Sequence, residues 1–103
     1  MKIIKCLSEL ITEELHDADK YIDLAEKWKS DEPETANVFY QLSTEEMGHV
    51  DKLHEEVKRL IENYRREHGE PPKEMMVLYD YLHEMHIGTA TKIRIKQGMY
   101  KGA

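Results

Sequence analysis

An all-α fold, a long antiparallel helical hairpin with a third helix, follows from three observations. Apolar residues recur at steps of three and four over stretches of about thirty residues, the period of a helix with one buried side. Two short segments of turn chemistry cut the chain into three. Charged residues make up 35% and hydrophobic residues 40% of 103 positions, with three prolines, which suits long amphipathic helices around a thin core. The length is that of a single domain, residues 1–103, near the small end of independent folding.

The first helix is expected over about 2–30. Its seam runs Ile4, Leu7, Ile11, Glu14, Ala18, Tyr21, Ala25, Trp28. Ser30-Asp31-Glu32-Pro33 ends it: Ser30 or Asp31 can cap the next helix, and Pro33 suits a first helical turn. The second helix, about 33–68, carries Phe39, Ser43, Glu46, Val50, Leu53, Val57, Leu60 and Tyr64 along its seam. Gly69-Glu70-Pro71-Pro72 is the second break, a glycine stop followed by prolines. The third helix is expected over about 73–100, with Met75, Met76, Leu78, Leu82 and Met85 as core or interface filler.

Each of the first two seams is interrupted once by a glutamate, Glu14 and Glu46, and His49 follows Glu46 by one turn on the same side. An ionised carboxylate buried without a partner costs several kcal/mol, on the order of the whole stability of a small domain. Two of them with an imidazole are tolerable when a cation lies between them. Hairpin arithmetic supports this. With the turn centred between Asp31 and Glu32, Glu14 stands about seventeen residues before it, Glu46 about fourteen after and His49 about seventeen after. At ~1.5 Å per residue the three lie within about one turn of one level. The competing reading is that each glutamate packs its stem and extends its head to water, or that the pair fixes register at a wet seam.

The third helix offers nothing at that level. Folded back from Glu70 and Pro71, it places Lys92 to Ile95 beside Glu46 and His49. One chain therefore supplies two carboxylates and one imidazole, half of a dinuclear site. Two chains about a twofold axis supply four carboxylates and two imidazoles, the ligand set of a di-iron carboxylate bundle. Asp80 and His83 form a second carboxylate-x-x-His, with Glu84 and His86 nearby, and level with about Lys58 to Ile61. His54 and His68 read as surface, and Trp28, Phe39 and Tyr40 as core at the bundle end.

Glu14, then Tyr21 seven residues on, then Glu46-x-x-His49 resembles the first half of a ferritin-like or rubrerythrin-like bundle over residues 7–64. With the second helix pair missing, the half-size encapsulated-ferritin type is the nearest resemblance. It implies a ferritin-like four-helix bundle completed by dimerisation, in a homodimer or larger even homo-oligomer, with an encapsulating shell as a further partner. It implies a di-iron site, with manganese as the alternative metal, ligated and catalysed by Glu14, Glu46 and His49. It also implies ferroxidase activity, in which Fe(II) is oxidised by dioxygen at the dimer interface. Tyr21 is a candidate to support a ligand carboxylate, and Glu13, Glu45, His16 and Asp17 are candidates for an entry path. Two other classes stay open: a non-catalytic helical interaction protein, and a divalent-metal binder without redox turnover.

Net charge of −6 disfavours nucleic acid. The charge is uneven, with no acid after Glu84 and with Lys92, Arg94, Lys96 and Lys101 near the end, read as cations favoured by the helix dipole or as a docking surface. One cysteine, Cys6, excludes an intrachain disulfide and fits a reducing cytoplasm. The first ten residues lack a signal-peptide pattern, and no run approaches the ~20 apolar residues of a membrane span.

Overall fold

The computed structural model describes residues 2–102. Three helices account for nearly all of them: α1 Lys2–Trp28, α2 Pro33–His68 and α3 Lys73–Gly102. The first ends two residues earlier, and the third two residues later, than the periodicity implies. Neither Ser30 nor Asp31 caps α2. Glu32 occupies that position without a side-chain cap, Pro33 opens the helix, and the Glu32 N–H closes on the Trp28 carbonyl at 2.8 Å. That bond closes the last turn of α1 and draws Ser30 and Asp31 into the turn, ahead of the position from which a side chain caps α2. Gly69 stops α2 at φ 80°, a value glycine reaches without strain, and its N–H donates to the Arg65 carbonyl at 3.0 Å. No helix of the described residues is long and apolar enough to cross a membrane.

α1 and α2 form the hairpin. Ile4, Leu7, Ile11, Leu15, Ala18, Ile22 and Ala25 of α1 are buried, with Ala36, Met47, Val50, Val57 and Ile61 of α2. The small side chains Ala18, Ala25 and Ala36 are fully buried and let the backbones approach. Ser43 shows how close. Its buried hydroxyl donates to the Ala18 carbonyl at 2.7 Å and accepts from Gln97 Nε2 at 2.8 Å, so one side chain ties all three helices.

α3 folds back into the groove on one face of the hairpin, touching α1 more than α2. Its buried anchor is Ile93 at 0% exposure, with Tyr79 and Ala90 packed against the same core. Lys96 meets Asp19 and Asp23 at 2.8 and 3.0 Å, and Arg94 meets Asp51 at 3.2 Å. These two cations therefore bridge helices rather than complement a helix end. Exposed pairs of this kind contribute under about 1 kcal/mol each and mainly set register.

Histidines fill the other half of the joint. His54 is not a surface residue: it is half-buried and its ring stacks on His83 at 4.5 Å, and His83 also stacks with Tyr79 at 5.6 Å. His83 thus sits about one turn from the level expected for it, opposite residue 54 rather than 58. The Thr12 hydroxyl donates to the Ser8 carbonyl, so it accepts from His86 Nε2–H at 2.8 Å. Burial, then the neighbouring imidazole of His83, lowers the pKa of both His54 and His86 below the ordinary 6.5. Lys58 adds to the depression at His54, while Glu55 and Asp51 oppose it.

Above about pH 6.5 both states hold these rings neutral and the effect is nil. Below it the unfolded chain takes protons that the folded chain refuses, so stability falls with pH. The urea midpoint should drop between about pH 7.5 and about pH 5.5, and His54→Gln should flatten that slope.

Candidate metal centre

The face of the hairpin turned away from α3 carries the expected trio. Glu14 comes from the middle of α1, and Glu46 and His49 from one turn of α2. One ligand atom from each lies within 4.8 Å of the others. His49 Nδ1 is 3.4 Å from Glu14 Oε2 and 3.8 Å from Glu46 Oε1. The side chains of Glu14 and Glu46 are 27% and 19% exposed, and that of His49 is 57% exposed.

The levels agree with the hairpin arithmetic, but the burial does not. The trio does not face the intrachain core. The buried stripe of α1 runs through Ile11, Leu15, Ala18 and Ile22, next to the expected seam, and Glu14 sits on its edge. α1 carries two apolar seams roughly a quarter-turn apart. One meets α2, and the other, through Ile3, Leu10, Glu14, Tyr21 and Trp28, lines the open face. Trp28, at 37% exposure, is therefore not core. On α2 the open face carries half-buried Phe39, Leu42, Glu46, Leu53 and Leu60. The acidic pair is thus ringed by apolar side chains on a surface that the chain itself leaves uncovered.

Tyr21 stacks on Phe39 at 6.4 Å, and among the described residues it makes no hydrogen bond to Glu14 or Glu46. Glu13, His16, Asp17 and Glu45 are exposed. Glu13, His16 and Asp17 share one shallow depression with Thr12 on the exposed surface of α1. Asp80 and His83 do not join the trio. His83 is engaged with His54 on the opposite face of the hairpin, a pairing that hydropathy patterns do not mark.

The donor set fits a hard or borderline divalent cation. Two carboxylates match the charge of one M²⁺, and oxygen donors with one imidazole suit iron or manganese better than soft-ligand metals. Three donors leave a six-coordinate cation half-served, so further ligands must come from outside the trio.

No curated protein and no solved structure matches this chain. The family model described as Rubrerythrin matches residues 5–102, from the second turn of α1 to the end of α3. A helical hairpin with a glutamate facing a Glu-x-x-His, inside a match spanning nearly the whole sequence, leaves one assignment: the chain belongs to the rubrerythrin family and has a ferritin-like helical fold.

Proposed function

We propose that two copies of the chain pair through their open hairpin faces and bind two Fe(II) ions between them, which are oxidised by dioxygen. The observation that carries this reading is the convergence of Glu14, Glu46 and His49 within 4.8 Å on that face. A twofold axis there would set two trios against each other, giving four carboxylates and two imidazoles. Their four negative charges would balance two divalent cations. The rim of Ile3, Leu10, Trp28, Phe39 and Leu53 would be covered by the same contact, which removes water from around the acids and strengthens their hold on a cation.

Fe(II) is substrate in this reading, and it supplies the electrons that reduce dioxygen. The chain's own groups do the rest. Glu14 and Glu46, on separate helices, hold the cation by charge. His49 would exchange its contacts with both carboxylates for the cation, offering a ring nitrogen as the third donor. The fully buried Ala18 and Ser43 hold the helix spacing that keeps the acids level.

A second reading draws on the 3.4 Å approach of His49 to Glu14, which closes the trio without a metal. In that reading the acids set register in a non-catalytic helical assembly.

The deciding measurement is iron per chain across a size-exclusion run after anaerobic Fe(II) loading, followed by admission of oxygen. About one iron per chain in an even assembly, with oxygen consumed, is the expected result. Bound iron without oxygen uptake indicates a divalent-metal buffer. No bound iron refutes the site.

A further inference from the structure

α3 has a second apolar side. Val77, Tyr81, Ile95 and Met99 point away from the hairpin and are 57–68% exposed. With Glu84, Gly88 and Lys92 they form one outward stripe at helical spacing: 77, 81, 84, 88, 92, 95, 99. The stripe is symmetric about Gly88. Val77 and Met99 are equidistant from it, as are Tyr81 and Ile95, and Glu84 and Lys92. The only inversion across the centre is of charge, acid on one side and base on the other.

No packing or backbone constraint among the described residues requires a glycine at position 88. It is helical, its φ is not positive, and a Cβ built on it meets nothing within 4 Å. A mid-helix glycine weakens the helix relative to alanine, and the same open space surrounds Gly48 and Gly98; what sets Gly88 apart is its place at the centre of the stripe. Glu84 and Lys92 are also idle. Among the described residues neither has an ion-pair partner, whereas Arg94 and Lys96 on the same helix both do.

We propose that this stripe is a homotypic interface, in which α3 of a second copy packs antiparallel across a twofold axis at Gly88. The pairing stacks Val77 on Met99 and Tyr81 on Ile95, twice each, along a contact of about 33 Å. The two glycines meet at the crossing, where the absence of side chains lets the backbones approach. Each Glu84 faces a Lys92. A parallel pairing would set Glu84 against Glu84, so the charges select the antiparallel register. The exposed Tyr81, Ile95 and Met99 then become covered.

This surface lies on the side of the molecule away from Glu14, Glu46 and His49, and the inference does not rest on the metal reading. Together, two different twofold contacts on one chain cannot close as a dimer; they build a tetramer or a larger even ring.

The test is mass in solution by light scattering, in chelator, for wild type and Gly88→Leu. Leucine is a better helix former and its Cβ meets nothing in the chain, so the helical signal of the folded chain should hold. The mass should fall by half or more. Disulfide trapping in a Cys6→Ser background fixes the register. Gly88→Cys should cross-link to itself; Val77→Cys should not, but should cross-link to Met99→Cys in a mixture. If iron binding fails while these results hold, the metal reading falls and this interface stands. An unchanged mass for Gly88→Leu, or a Gly88→Cys variant that stays reduced under oxidation, overturns the proposal.

Discussion

Glu46→Ala should cost more than about 100-fold in Fe(II) affinity while leaving the metal-free protein at least as stable as wild type. The loss exceeds the 10–100-fold typical of groups that only support a metal ligand, because a charged donor itself is removed. The gain, or absence of loss, in the metal-free protein has a separate cause. Glu14 and Glu46 place two carboxylates within 4.8 Å of one another at the edge of an apolar face. Without a cation they repel and lose hydration, with only the exposed His49 imidazole at 3.4 and 3.8 Å to offset it. Thermal melts with and without Fe(II) separate the two effects. Wild type should gain about 2.7 kcal/mol at a free iron concentration a hundred times the dissociation constant, and Glu46→Ala should gain nothing. His49→Ala should also lose iron. A structural role for the acids gives the opposite pattern: Glu46→Ala would melt lower without metal, and iron would leave both proteins unmoved.

The axial position of this centre was legible in the sequence, and its rotational position was not. Counting from Asp31 and Glu32 placed Glu14, Glu46 and His49 at one level, because rise per residue is nearly constant in a helix. Which side of the hairpin they face depends on what covers each side. α1 offers two usable seams, Ile11–Leu15–Ala18–Ile22 and Leu10–Glu14–Tyr21, and both satisfy the same period. The placement of α3 decides between them, and α3 is apolar on nearly every side, so its own pattern names no buried face. The same ambiguity hid the His54–His83 stack. Imidazoles carry no hydropathic signal, and only the docked helix brings these two within 4.5 Å. Leu78 and Met85, expected among the filler, are 55% and 52% exposed for the same reason.

The two sides of α3 should separate cleanly under mutation. Ile93 is fully buried where α3 meets the hairpin. Ile93→Ala should destabilise the chain by about 2–5 kcal/mol, the usual cost of emptying a core isoleucine site. The damage should concentrate in α3. Its other ties are half-buried Tyr79 and Ala90, the histidine stack, the Tyr40–Tyr100 stack, hydrogen bonds to Ser43, Thr12 and Lys29, and exposed ion pairs, none of which replaces a core anchor. Hydrogen exchange should therefore rise first over residues 73–102, with Ala18 and Ser43 still protected in the hairpin. Ile95→Ala, two residues away and 57% exposed, should change the stability of the isolated chain by no more than about 0.5 kcal/mol. It should instead weaken assembly through the outer stripe. Equal destabilisation by both variants would mean that α3 is held by its amphipathic surface as a whole, and that the burial of Ile93 does not anchor it.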